Sequence, residues 1–220
     1  MNPLQPLAAF LQTPDFLWMG APVTRAEWLG MVLALWMVAC NMRVHPLGWP
    51  LACLSSLLYA VVFFDSRLYG EAALQLFFAA MALWGLHRWL QRKPSGDPAI
   101  ELSTLDPRAR VRLVLVALPA WLGLGWLLAR YTDSDVPYGD ALPTVGSILG
   151  TWLLAQKYIE NWVVWLGVNL VSVALFAYKG LWPTTLLYAV FAALSLWGWW
   201  VWKAQARAQI QTPLSNETLP

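Results

Sequence analysis

Charge is scarce in this chain. Of its 220 residues only 12% are Asp, Glu, Lys or Arg, while 59% are hydrophobic. A soluble domain carries about 25% charged residues, and a soluble core of this size could not hide so much apolar surface. Cysteine is almost absent. Cys40 and Cys53 sit inside apolar runs and form no CxxC, so neither a disulfide framework nor a metal site is expected. The two histidines, His45 and His87, stand far apart at the ends of apolar runs and suit an interface better than a metal pair. No phosphate-binding Gly-rich loop and no HExxH occurs, which leaves ATP-driven pumping and zinc catalysis without support. A rhomboid-type protease would need Gly-x-Ser-Gly and a deep histidine. Gly146-Ser147-Ile148 does not continue that way, so no enzyme and no cofactor is expected. The first residues lack a basic stretch and an Ala-x-Ala site, so no cleavable signal peptide is expected.

What remains is apolar sequence in runs of about 16–23 residues, the length that spans a bilayer as helix. The expected spans are Arg25–Met42, Pro46–Phe64, Tyr69–Leu90, Leu113–Leu128, Leu142–Gln156, Ile159–Tyr178 and Trp182–Trp202. The class is therefore an all-α polytopic membrane protein with seven transmembrane helices. Residues 1–23 are broken by Pro3, Pro6 and Pro14 and read as an interfacial segment anchored by Phe16 and Trp18. Residues 92–112 read as a solvated linker, and 204–220 as a disordered tail. Glu160 and Asn161 open a helix, where acidic and amide groups suit capping and the helix dipole.

The chain repeats itself. Shifted by 113 residues, Leu68–Gly85 lies over Leu181–Gly198, with Leu74/Leu187, Phe78/Phe191, Trp84/Trp197 and Gly85/Gly198 coincident. The same shift puts Trp49 on Trp162 and Phe63 on Phe176. The expected domains are a first three-helix repeat (24–91), a connecting helix (113–130) after the linker, and a second three-helix repeat (139–203). Four spans separate equivalent positions, so the two halves point the same way: a parallel 3+1+3 repeat, SWEET-like.

Trp162, Trp165, Asn169 and Ser172 recur at helical spacing and are expected on one face. That face carries two π-systems, an amide and a hydroxyl, and no charge. An amide at membrane depth must find a partner, because lipid offers none. Gln75 and Tyr188 are repeat equivalents, as are Ser56 and Asn169, and Trp49 and Trp162, so the three pairs are expected to converge about the pseudo-axis. Each has a plainer reading. Ser56 can bond its own helix, Trp49 and Trp162 can belong to an interfacial belt, and Tyr59 and Tyr188 can bury a hydroxyl against a carbonyl. Asn169 and Gln75 can hydrogen-bond a neighbouring helix.

Some of these residues carry a resemblance. Leu68-Tyr69-Gly70-Glu71, Leu74-Gln75-Leu76-Phe77 and Trp84-Gly85 resemble the third helix of the PnuC nicotinamide riboside transporters. So do Glu160-Asn161-Trp162, Trp165, Asn169, Tyr178-Lys179-Gly180-Leu181 and Tyr188 in the second repeat. The resemblance covers about residues 41–202. It implies a homotrimer with a substrate site in each protomer. It also implies import of nicotinamide riboside, a vitamin B3 and NAD precursor, by facilitated diffusion with trapping by phosphorylation inside. The Pro-Gln dipeptide of PQ-loop relatives is absent, so no proline hinge is carried over. Alternatives are a carrier for another cationic vitamin such as thiamine, or the binding subunit of an energy-coupled importer. The candidate substrate-binding residues are Trp49, Ser56, Tyr59, Gln75, Trp162, Trp165, Asn169 and Tyr188. Trp rings would hold the pyridinium cation for about 0.5–2 kcal/mol each, and the polar groups would take the carboxamide and ribose. The expected partners are this substrate and membrane lipids, with no nucleic acid.

Orientation follows from the basic residues. Four Lys or Arg fall on the N-terminal side of the expected spans and ten on the other. Positive charge stays in the cytoplasm, so the N-terminus is expected outside and the C-terminus inside, in the inner (plasma) membrane. Single cysteines at Ser95 and Ser134, in a background without Cys40 and Cys53, test this. In intact cells a membrane-impermeant maleimide should label position 134 and spare position 95, and the reverse pattern would invert the topology.

Overall fold

The computed structural model describes residues 5–18, 20–65, 69–91 and 101–211. Most of the expected linker (92–100) and the end of the expected tail (212–220) lie outside these residues. The chain forms two compact units, Met1–Gln91 and Arg92–Pro220. The first holds helix α1 (Gln5–Gln12), strands β1 (Pro14–Trp18) and β2 (Ala21–Thr24), and helices α2 (Arg25–Met42), α3 (Gly48–Asp65) and α4 (Tyr69–Leu90). The second holds helices α5 (Pro107–Tyr131), α6 (Pro137–Ala155), α7 (Glu160–Tyr178) and α8 (Trp182–Gln211). The protein is thus mostly helical, with one antiparallel hairpin that the all-α expectation did not include. Helices α3, α5, α7 and α8 are long and apolar enough to cross a membrane. Helices α2, α4 and α6 have 18, 22 and 19 residues, about 27–33 Å at 1.5 Å per residue. Polar residues such as Arg25 and Glu27, His87 and Arg88, and Asp140 make these three less apolar.

Helix bounds follow from local chemistry. Thr24 and Glu27 form a reciprocal capping box that starts α2: the Glu27 N–H donates to Thr24 Oγ1 at 3.3 Å, and the Thr24 N–H to Glu27 Oε2 at 2.7 Å. Asp106 caps α5, accepting the Ala109 N–H at 2.6 Å, and Pro107 fits the first turn because it has no N–H to lose. The connecting helix therefore begins at Pro107, six residues earlier than expected. Helix α6 begins at Pro137 for a related reason, since prolines at its start cost no ladder bond there. Helix α8 runs to Gln211, past the expected end at Trp202, so residues 204–211 are helix.

The hairpin reverses at Gly20, whose φ of 81° suits a residue without Cβ. It pairs Pro14 with Thr24 and Trp18 with Ala21. A polar clasp ties it to α2. Asp15 accepts from Arg25 Nε at 2.8 Å and from Trp28 Nε1 at 2.9 Å, and Arg25 lies 4.3 Å over the Phe10 ring. Ala8 and Leu11 of α1 are buried, and α1 packs on α2 and α3. Phe16 and Leu17, by contrast, are exposed.

The 113-residue repeat is written into the backbone. The turn after α2 holds Val44 at φ 53°, and the turn after α6 holds Lys157 at φ 56°. Each turn closes with the same pair of bonds. His45 N–H donates to Cys40 O at 2.9 Å and Tyr158 N–H to Leu153 O at 3.0 Å. Val44 N–H donates to Asn41 O at 3.0 Å and Lys157 N–H to Leu154 O at 2.9 Å. This is the Schellman ending, built twice on residues other than glycine. Burial pushes the Lys157 ammonium below its ordinary pKa.

Side-chain packing repeats too. In the first unit the Trp49 ring lies against Gly85 and meets Trp89 edge to face, centroids 5.6 Å apart at 84°. In the second, Trp162 lies against Gly198 and meets Trp202 at 5.6 Å and 86°. Equivalent residues do the same work: a glycine lets a tryptophan of the neighbouring helix approach its backbone.

The second unit has one device without a counterpart among the described residues of the first. Ser103 makes a parallel bridge with Tyr158: its N–H donates to Lys157 O at 3.2 Å and its carbonyl accepts the Ile159 N–H at 2.9 Å. Glu160 Oε1 accepts the Leu105 N–H at 3.1 Å and Arg110 Nη2 at 2.9 Å. Glu160, expected to cap its own helix, instead straps residues 103–110 to the α6–α7 turn. Asn161 does not cap either, since its Nδ2 donates to the Tyr158 carbonyl at 2.7 Å.

Gly198→Ala would place a Cβ 2.6 Å from Cε3 and Cζ3 of Trp162, a ring backed by the fully buried Trp202. Such overpacking should cost about 1–3 kcal/mol. The purified variant in detergent should unfold at a lower temperature, and Gly85→Ala should do likewise; unchanged midpoints would show that the rings give way. The clasp carries a pH signature. Hydrogen bonds from Trp28 and from Arg25 hold the Asp15 carboxyl below its ordinary pKa. A group with a depressed folded pKa stabilises above its unfolded pKa, and loses that contribution as pH falls through the folded value. Asp15→Asn should therefore unfold at a lower temperature than the unsubstituted protein at pH 7. The gap should close as pH drops below about 4, and a gap that stays constant down to acid pH would exclude the clasp.

Candidate functional site

Helix α7 was expected to present Trp162, Trp165, Asn169 and Ser172 on one face. The structure divides them. Trp162 and Asn169, seven residues apart, both turn to α8, the first onto Gly198 and Trp202 and the second onto Ser195. Trp165, three residues on from Trp162, turns to α6, where a Cβ on Gly150 would stand 2.9 Å from its Cε2. Ser172 is buried, while Trp165 remains half-exposed. Helix α7 packs between α6 and α8, so each flank of the expected face meets a different neighbour.

Trp49 and Trp162 are each 3% exposed. Each ring lies close to a glycine of the neighbouring helix and meets Trp89 or Trp202 edge to face. That geometry is a packing contact, and a ring so buried has no room for a cation. Each indole Nε1 is nevertheless buried with no acceptor among the described residues. What the pair offers a ligand is an N–H rather than a π-face.

Asn169 is 5% exposed, and its Nδ2 donates to Ser195 Oγ at 3.0 Å. Ser195 in turn donates to the Phe191 carbonyl at 2.8 Å. The sequence did not point to Ser195. Its repeat mate is Ala82, and the one available signal was that this buried small residue becomes polar only in the second repeat, seven residues after Tyr188. Tyr188 stacks on Phe176, centroids 5.1 Å apart at 21°, with Phe191 edge-on at 6.1 Å. It therefore belongs to the same helix pair as Asn169, about two turns of each helix carrying one aromatic and polar cluster.

In the first unit Tyr59 stacks on Phe63, centroids 6.0 Å apart at 25°, and its ring occupies the space over Gly30 of α2. Phe63 and Phe176 are repeat equivalents, but their tyrosine partners are not, since Tyr59 sits on the same helix as Phe63 and Tyr188 on the helix next to Phe176. Ser56 and Gln75 are half-buried. Each unit therefore carries its own aromatic pair and its own uncharged polar groups. Aromatic rings with amides and hydroxyls at membrane depth can bind a neutral or delocalised-cation ligand and offer no carboxylate to hold an ion.

Comparison with known proteins agrees with this chemistry. The family described as nicotinamide mononucleotide transporter matches residues 24–204. The nicotinamide riboside transporter PnuC of Escherichia coli (strain K12) is 26% identical over 183 residues, 72% of this chain and 77% of that protein. The riboflavin/roseoflavin transporter RibM of Streptomyces davaonensis is 29% identical over 199 residues, 87% of this chain and 92% of that protein. The crystal structure of the vitamin B3 transporter PnuC shares the fold, with a TM-score of 0.65 at 22% identity over 83% of this chain and 82% of that one. With more than half of its length matched, this multi-pass membrane protein belongs to the nicotinamide mononucleotide transporter family.

Proposed function

We propose that the protein imports nicotinamide riboside by facilitated diffusion, with phosphorylation inside the cell trapping the substrate. The observation that carries this reading is the family match across residues 24–204, joined to relatives named as nicotinamide riboside transporters that are matched over most of their length. The site chemistry supports it. Trp165, which is half-buried, is the ring proposed for the pyridinium. The uncharged polar groups proposed for the carboxamide and ribose are Asn169 and Tyr188 in the second unit, and Gln75, Tyr59 and Ser56 in the first. The orphaned indole N–H groups of Trp49 and Trp162 each cost roughly 1–3 kcal/mol while unpaired, which a polar ligand would relieve.

The matching turns at Val44 and Lys157, and the matching Trp–Gly–Trp contacts, support a parallel 3+1+3 SWEET-like repeat. Seven crossings would set the termini on opposite sides, and the excess of Lys and Arg on the C-terminal side supports an N-terminus outside and a C-terminus in the cytoplasm, in the inner membrane; the resemblance to PnuC proteins points to a homotrimer. Among the described residues the carboxylates of these helices stand in end turns, Glu27, Asp140 and Glu160 at helix starts and Asp65 at a helix end, and the lack of one at mid-span supports downhill movement. A second reading has its own support: RibM, matched over 92% of its length, is named for riboflavin, so a flavin is the competing substrate.

Sealed liposomes holding the purified protein, at zero membrane potential and without ATP, should equilibrate nicotinamide riboside and not concentrate it. Zero potential matters because one charge feels about 2.3 kcal/mol per 100 mV. Accumulation driven by a proton or sodium gradient would overturn the uniport. Equilibration of riboflavin but not of nicotinamide riboside would exchange the substrate. Asn169→Leu should weaken nicotinamide riboside binding about tenfold with normal expression.

A further inference from the structure

The α7–α8 contact contains a buried polar pair whose proton count can be worked out. Ser195 and Asn169 are 4% and 5% exposed. A hydroxyl has one proton and two lone pairs. Ser195 Oγ lies 2.8 Å from the Phe191 carbonyl one turn back, and a carbonyl can only accept. The Ser195 proton is committed there. Toward Asn169, 3.0 Å away, Oγ can then only accept, so the end of the amide that faces it is the NH2. The hydrogen-bond network itself decides which way the amide is turned. Asn169 Oδ1 points away from Ser195 and takes no donor among the described residues. The repeat mates of Ser195 and Asn169 are Ala82 and Ser56, so this amide–hydroxyl pair belongs to the second unit alone.

We propose that Ser195 is a positioning residue: it turns Asn169 so that the amide meets its ligand with an acceptor, and the site thereby selects a carboxamide over a carboxylate on the same ring. The proposal rests on the reading of Asn169 as a binding residue given above. With one N–H held by Ser195, Asn169 has Oδ1 and one N–H left. A carboxamide answers both, giving an N–H to Oδ1 and a carbonyl to the N–H. A carboxylate answers only the N–H and sets a charged oxygen against Oδ1 at a buried position. A site built to accept a hydrogen bond discriminates strongly against an analogue that has none to give. Without the Ser195 hydroxyl nothing holds the amide, which can rotate and turn its NH2 to a carboxylate.

The test is calorimetric titration of the purified full-length protein with nicotinamide riboside and with nicotinic acid riboside, its carboxylate analogue. The unsubstituted protein should bind the carboxamide at least about tenfold more tightly. Ser195→Ala should bring the two affinities within about threefold. Ser195→Thr, which keeps a hydroxyl able to bond back to the Phe191 carbonyl, should preserve the preference. A purely structural role would lower both affinities together and leave their ratio alone. An unchanged ratio in Ser195→Ala overturns the positioning role. Equal binding of both ligands by the unsubstituted protein overturns the selection without any variant, so the proposal stays open to refutation even if Ser195→Ala fails to fold. Unchanged affinities in Asn169→Leu, or no binding of either ligand by the unsubstituted protein, sink the underlying reading of the site instead.

Discussion

Lipid is as apolar as leucine, so two helices in a membrane gain little by hiding side chains from it. What holds them is close contact between surfaces that fit, and here that contact is tryptophan on glycine. Trp49 on Gly85 brings α3 and α4 together, Trp162 on Gly198 brings α7 and α8 together, and Trp165 on Gly150 joins α6 to α7. Tyr59 over Gly30 and Tyr138 against Gly125 extend the same device to α2–α3 and α5–α6. A flat ring makes many weak dispersion contacts at once, and a glycine opposite lets it reach the backbone. A few of the sixteen tryptophans are thus the material of helix packing, while others, among them Trp36, Trp197 and Trp200, are exposed.

The helix ends are governed by a different rule. Each end leaves backbone groups that need partners, and water is present only there. The two Schellman turns satisfy theirs within the chain, at the cost of a left-handed residue without glycine's freedom. The bridge at Ser103 and the Glu160 bonds satisfy others and join the start of α5 to the start of α7. The hairpin in the first unit is tied down at the start of α2, where Asp15 accepts from Arg25 and Trp28.

Between these ends the polar groups are few, and that sparseness gives each one meaning. Asn169 and Ser195 satisfy each other only in part, leaving one acceptor and one N–H over. The indoles of Trp49 and Trp162 leave two more donors. Groups of this kind suit an uncharged polar edge and a flat ring, the chemistry of a pyridine nucleoside.

Much of this was legible in the residues. Length and spacing of the apolar runs marked α2 and α4 at their observed bounds, because a charge or a proline at each end breaks the run. The 113-residue shift marked equivalent positions, and Trp49/Trp162 and Gly85/Gly198 proved equivalent in contact as well. The quoted motifs carried the family. Helix rotation was not legible. A helix that is apolar on every side has almost no periodicity to show which face meets which neighbour, so Trp162 and Trp165 were expected together and turn to different helices. Glu160 was expected to serve its own helix and instead reaches residues 105 and 110, and the hairpin depends on pairing across a glycine turn. Ser195 as the partner of Asn169 depends on how α7 and α8 are turned about their axes. Sequence alone settled where the helices lie along the chain and that polar groups sit within them. The tertiary structure decided which polar group meets which, because that depends on axial rotation, and in an apolar solvent rotation is set by the fit of rings to glycines.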